Sequence, residues 1–342
     1  MTSVLHVGIH TDHEFGGDKV LARGLAANGC VSEPFDYRTI AAQQGREHMN
    51  RLLRERAAGK DIVFIGKGES LDHAALADVR RKGTLTVLWY GDLRPRPEPW
   101  LLELLPEIDV YFMTSAGSEL QAYRRLGCPG RAAFFLNPGD SFLAARYARS
   151  AAPTRNVVVT ATPHAFHGSE RLAVLRYLCR RRDVAFYGGC ETQGRGRFSR
   201  LLHRMLGNGK PPSPFVRGDE YAAAICSARI GVGVSYRQDV PRYTSDRLSH
   251  YLTLGAFYLP MRFVGIEDLF AGDRELVWYS SVDELDRQIR RYLADSDERQ
   301  AIAASAQRKM VGEYGTENMV AMMLEVIRSG KSSRYPWVEV HG

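Results

Sequence analysis

Ser245, Asp246 and Arg247 stand at the start of an amphipathic stretch that stops at Gly255, and they are the residues of this chain best arranged to hold an anion. A helix opened by Ser245 as N-cap leaves backbone N–H groups and its positive dipole end free for a phosphate, and the Arg247 guanidinium can add a charge-assisted pair. A second set follows apolar runs in the first half: Thr11, Asp12 and His13 come after VLHVGIH, with Gly16-Gly17 close behind, and Asp92 comes after LWYG. Ligands of parallel sheets gather at such carboxyl strand ends, and paired glycines let a backbone come close to a bound group. His164 and His167 are three residues apart, a spacing that suits a metal pair, but a third ligand is missing. The cysteines, at 30, 128, 179, 190 and 226, show no CxxC or other ligand spacing, so reduced thiols and no metal site are expected.

These groups need strands and helices to place them. The 342 residues exceed what one core usually handles, so two domains are expected. Apolar runs at 4–10, 61–68, 85–91, 109–115 and 131–140 read as strands. Between them lie a helix beginning near Asp18 and helical stretches at 46–58, 71–82, 98–105 and 117–126. A second series begins at NVVVTATP, 156–163, and continues with strands at 184–189, 228–236, 256–260 and 275–279. Its helices are expected at 169–181, 220–228, 246–254 and 282–294, and amphipathic helices at 297–312 and 316–329 close the chain. Strands alternating with helices imply an α/β fold with parallel sheets. The domain limits follow as 1–145 and 155–315, with a hinge between Gly139 and Arg155.

The run TSDRLSHYLTLGAFYLP at 244–260, continued by GIEDLF, by DELDRQIRRYL and by the helical tail through residue 327, resembles the C-terminal domain of GT-B glycosyltransferases, in particular the CgeB-like (YkvP-like) group. The resemblance implies two Rossmann-like parallel-sheet domains facing across a cleft, with the helix at 316–330 crossing back onto the first. It implies transfer of a sugar from a nucleotide-diphosphate sugar, expected to be a UDP-sugar acting as co-substrate, without a metal or other cofactor. On this reading the donor would be held by Arg171, His167, Ser245, Asp246, Arg247, His250 and Glu267. Arg171 matches an arginine recurring in the family, and Glu267 matches its acidic position in the GIEDLF turn. Asp92 and His13 are the candidate bases that take the acceptor's proton, and Asp12, Gly16 and Gly17 form the candidate acceptor or phosphate loop. The chain departs from the broader retaining group, which carries two glutamates eight residues apart; Arg242 and His250 occupy those positions here.

Charge bears on the acceptor. Residues 176–217 hold ten cations against Asp183 and Glu191, a local +8 within a net +7, so the rest of the chain carries about −1. Arg195, Arg197, Arg200 and Arg204 are the candidate contacts to a polyanion, either nucleic acid or an acidic membrane surface. The acceptor is accordingly read as a bacterial glycan or surface structure, or alternatively as hydroxymethylated pyrimidines in DNA. A non-catalytic protein that binds nucleotide or nucleic acid is the other alternative. No segment reaches the roughly 18 apolar residues of a membrane span, and the first residues lack a signal-peptide pattern, so a cytoplasmic protein is expected.

Overall fold

The computed structural model describes residues 1–93, 96–148, 152–161, 169–188 and 214–342. In chain order the first half runs β1 (Ser3–Gly8), α1 (Gly17–Ala27), β2 (Val31–Asp36), α2 (Tyr37–Gln44), α3 (Arg46–Arg56), β3 (Ile62–Gly66), α4 (His73–Arg81), β4 (Leu85–Tyr90), α5 (Pro99–Leu104), β5 (Val110–Met113), α6 (Ser118–Arg125) and β6 (Arg131–Phe134). The second runs α7 (Ser141–Arg146), β7 (Arg155–Thr160), α8 (Ser169–Arg180), β8 (Val184–Tyr187), α9 (Gly218–Cys226), β9 (Ala228–Val232), α10 (Asp246–Thr253), β10 (Tyr258–Leu259), α11 (Ile266–Leu269), α12 (Val282–Ala294), α13 (Ser296–Arg308), α14 (Thr316–Ser329) and β11 (Val340–His341).

The chain divides into two compact units. Met1–Pro138, Val240–Thr244 and Tyr314–Gly342 form the first, and Gly139–Asp239 with Ser245–Glu313 form the second. In the first unit seven strands pair in the order β11-β6-β5-β4-β3-β1-β2, parallel throughout except for the antiparallel β11. β3 and β5 are buried along their whole length, which is why their residues read as unbroken apolar runs rather than alternating ones. β2, whose sequence VSEPFD gave no strand signal, is the edge strand; Pro34 lies opposite His6, and an edge tolerates a residue that cannot donate to a further neighbour.

α14 packs on α1, and a glycine lets it. A Cβ on Gly24 would come 2.5 Å from Val320 Cγ2 and 2.8 Å from the Thr316 carbonyl oxygen. Two hydrogen bonds fasten the contact: Thr316 Oγ1 donates to the Val20 carbonyl at 3.0 Å, and Asn28 Nδ2 donates to that of Glu317 at 2.9 Å.

The second unit holds four parallel strands in the order β10-β9-β7-β8, with a core of Val157, Val159, Ile230, Val232, Leu259, Leu285 and Ile289 among others. α12 starts on a reciprocal cap: Ser281 Oγ accepts from Glu284 N at 3.2 Å and the Glu284 carboxylate accepts from Ser280 N at 2.7 Å. The expected strand at 275–279 does not form. Leu276, Val277 and Tyr279 are buried, but only isolated bridges are made, Leu276 with Gly272 and Tyr279 with Met261. The apolar run reported burial, while the preceding turn, with Asp273 at φ 57°, breaks the extended path.

Candidate functional site

In the second unit the groups that suit a phosphate collect at the carboxyl end of β7 and the first turn of α10. Ser245 takes the N-cap position with extended backbone, but its side chain makes no capping hydrogen bond. Arg247, half-buried in the first turn, sits close enough to three phenols for its charge to lower the pKa of each: the buried Tyr251 and Tyr258 and the half-buried Tyr221. Burial is the larger effect on all three and raises them, Tyr258 to about 12. Tyr251 Oη lies 3.2 Å from Thr160 Oγ1 at the end of β7, and Tyr221 Oη lies 3.2 Å from His250 Nδ1. A cation thus stands at a helix start near neutral hydroxyls, groups that suit an oxyanion, while His250 lies in the last turn of the same helix. Asp246 is exposed beside them, and its charge also reaches Tyr221.

Two of the phenol rings are seated by glycines, Gly231 within β9 and Gly233 just past its end. A Cβ on Gly231 would lie 2.2 Å from Tyr251 Cε1, and one on Gly233 would lie 2.2 Å from Tyr258 Oη. Arg171 is buried at 4% exposure and donates to the Val234 carbonyl. Its charge reaches Tyr258 and Tyr279 and lowers the pKa of each against the larger effect of burial.

Past the carboxyl ends of β9 and β10 opens a pocket of about 430 Å³, lined by Glu170, Gln238, residues 261–265, Glu267, Tyr279 and Ser280. The Gln238 carbonyl accepts from Val264 N at 3.0 Å, and Tyr279 Oη donates to the Gly233 carbonyl at 2.7 Å, so both walls are fixed. Gly265, at φ 80°, makes the left-handed turn that opens α11. Glu267 faces the pocket's Arg262, whose Nε donates to it at 3.1 Å. Partial burial alone would raise the Glu267 pKa, but the hydrogen bond and charge of Arg262 outweigh it and hold the carboxyl below the ordinary glutamate range.

In the first unit the candidate bases stand at strand ends, each with its own partner. Asp92 Oδ2 is 3.3 Å from Lys67 Nζ, and Lys67 itself holds φ 78°, an uncommon conformation for a residue with a Cβ. His13 Nε2 is 3.5 Å from Asp12 Oδ1, and its buried Nδ1 has no hydrogen-bond partner. The space at Gly17 is taken by Trp89, whose ring would be 2.4 Å from a Cβ there, so that glycine admits an indole.

Sequence reasoning did not register the carboxylates that hold this loop. Asp18 lies 3.1 Å from His6 Nε2 and accepts from Ile9 N at 2.7 Å, and it fills the space where side chains on Gly8 and Gly66 would go. Asp36 accepts from His10 N at 3.0 Å and from Thr11 N at 2.9 Å. Burial would raise its pKa, but the hydrogen bonds from Thr39 and Thr11 prevail and lower it. Gly8 and Gly66, each closing a strand, were the available signal.

His164, His167, Arg195, Arg197, Arg200 and Arg204 lie outside the described residues. Among the described residues no three His, Cys, Asp or Glu side chains converge as metal ligands would, and no helix is long and apolar enough to cross a membrane.

Residues 173–325 match the glycosyl transferase-like family. That segment carries α10, the phenol layer and most of the pocket. The fold is GT-B: Anabaena HepE in complex with UDP and glucose is similar over 96% of this chain and 100% of its own, with a TM-score of 0.66 and 13% identity. Sucrose-phosphate synthase from Thermosynechococcus elongatus aligns over 96% and 98%, with a TM-score of 0.62 and 14% identity. AviGT4, a glycosyltransferase involved in avilamycin A biosynthesis, aligns over 96% and 97%, with a TM-score of 0.61 and 16% identity. A sequence search of curated proteins finds no match.

Proposed function

We propose that the chain transfers a sugar from a UDP-sugar to an acceptor hydroxyl without a metal ion. The observation that carries this reading is Arg247 at the start of α10 beside the Tyr221, Tyr251 and Tyr258 hydroxyls, within the segment that matches the family. As the sugar leaves, negative charge grows on the diphosphate. Arg247 and the α10 amides are aimed at that charge and need no reorganisation to meet it. His250 and Glu267 are the candidate grips for sugar or ribose hydroxyls, Glu267 from the wall of the 430 Å³ pocket. UDP bound in the HepE complex and the family match support this assignment.

The acceptor's proton goes to Asp92 or His13 on the first unit. Asp92 lies beside Lys67 and His13 beside Asp12. We place the chain nearest the CgeB-like group on its SDR and GIEDLF runs, which favours a glycan or surface structure as acceptor and the cytoplasm, where nucleotide sugars are made, as the site of action.

The test is release of UDP from a panel of UDP-sugars by the purified chain, alongside calorimetric binding of UDP. Turnover of at least one donor is expected. UDP binding without turnover of any donor would favour the non-catalytic reading, and absence of both would refute donor use.

A further inference from the structure

At the opposite, amino ends of the second unit's strands lies a larger pocket, about 650 Å³, that the proposed reaction does not use. Its position follows from the strand order: Arg229 is near the start of β9, Gly255 and Phe257 precede β10, and Pro153 precedes β7. One face of α13, with Arg299, Ala304 and Gln307, forms the far wall. Its volume is within the usual range of about 300–1,000 Å³ for small-molecule sites.

Two arginines and no acidic residue line it. Arg299 is 8% exposed, an unusual degree of burial for a guanidinium, and it donates to the Tyr292 carbonyl, which fixes its orientation. Gln307 Nε2 donates to the Thr253 carbonyl at 2.9 Å, so that amide is fixed too. Arg229 is exposed at the mouth, and its Nη1 donates to the neutral Asn156 Oδ1 at 3.1 Å. Phe257 and Leu293 give the apolar part of the wall. Oriented polar groups of one sign on an apolar surface are the composition of a ligand site rather than of a packing defect, which would be lined by apolar atoms alone.

We propose that this pocket binds a small organic anion, with its acidic group against Arg229 and Arg299 and its apolar body against Phe257 and Leu293. The ligand is distinct from the donor, because the two sites lie at opposite ends of the same strands and can be filled together.

The test is calorimetric titration of the full chain with phenyl phosphate and with benzoate, each with and without saturating UDP. Two variants accompany it: Arg229→Glu reverses the charge at the mouth, and Ala304→Trp, at an exposed helical position, fills the space. Expected is saturable binding of at least one probe, one per chain, that persists when UDP is present and weakens at least about tenfold in both variants. Melting temperatures matching the unmodified chain confirm that both variants are folded. Equal binding in both variants, loss of the probe on adding UDP, or no saturable binding of either probe overturns the proposal. Failure of the chain to bind UDP at all would defeat the donor reading instead, while the two variants still decide the pocket.

Discussion

Arg247→Ala removes a full positive charge from the first turn of α10, where the helix dipole supplies only about half a charge. At an effective dielectric near 20 and a separation of about 4.5 Å, a guanidinium and a phosphate attract by roughly 3–4 kcal/mol. The helix amides and the neighbouring hydroxyls stay in place and retain part of that. The net loss in the transition state is therefore about 1.4–4 kcal/mol, a tenfold to thousandfold fall in UDP-sugar turnover. Binding should show the same origin: UDP affinity falls, while uridine, which lacks phosphate, binds as before. A folded variant whose UDP affinity and turnover are both unchanged would remove Arg247 from donor binding.

Turnover should survive EDTA, because the positive charge at α10 takes the part of a cation; abolition by chelation and recovery with Mg²⁺ or Mn²⁺ would refute the metal-free reading. Gly24→Ala should lower stability by about 1–2 kcal/mol in denaturant titration, since the carbonyl of Thr316 cannot yield as a side chain would and this outweighs the helix preference for alanine. His10 has its pKa pushed below 6.5, first by burial and then by the charge of His6. Protons therefore bind the unfolded chain more readily, stability falls as pH drops through about 6.5, and His10→Gln should flatten the urea midpoint between about pH 7.5 and 5.5.

Much of the fold was legible because burial on both faces of a parallel sheet writes itself as an unbroken apolar run. β3, β4 and β5 each lie within the runs read from the sequence, and β1 overlaps one from Val4 onward. β2 was not legible, because an edge strand with Glu33 and Pro34 carries no such run, and its pairing with β1 is decided by the sheet rather than by its own residues. The stretch at 275–279 shows the converse. Leu276, Val277 and Tyr279 had to be buried, and packing under the end of β10 met that need without a ladder. Apolar patterning reports which residues leave water; it does not report which backbone groups they face.

The candidate site divides along a similar line. The helix start at Ser245-Asp246-Arg247 was readable because free amides at a helix N-terminus are a local property of the sequence. The phenol layer was not, since Gly231 in β9 and Gly233 just after it announce a close approach without naming Tyr251 and Tyr258 as what approaches. Arg242 and His250 show most clearly where spacing stops carrying information. They stand eight apart, as the glutamates of the retaining group do, yet they do not share a helix: α10 begins at Asp246, and Val240–Thr244 belongs to the first unit. There Arg242, at φ 54°, pairs with Glu339 at 3.3 Å and donates to the Trp337 carbonyl at 3.2 Å. His250 meets the hydroxyl of Tyr221. Neither residue is therefore a substitute carboxylate moved onto a common helical face. The acid we propose for ribose is instead Glu267, whose carboxyl Arg262 holds below the ordinary glutamate range on the wall of the pocket beyond β10.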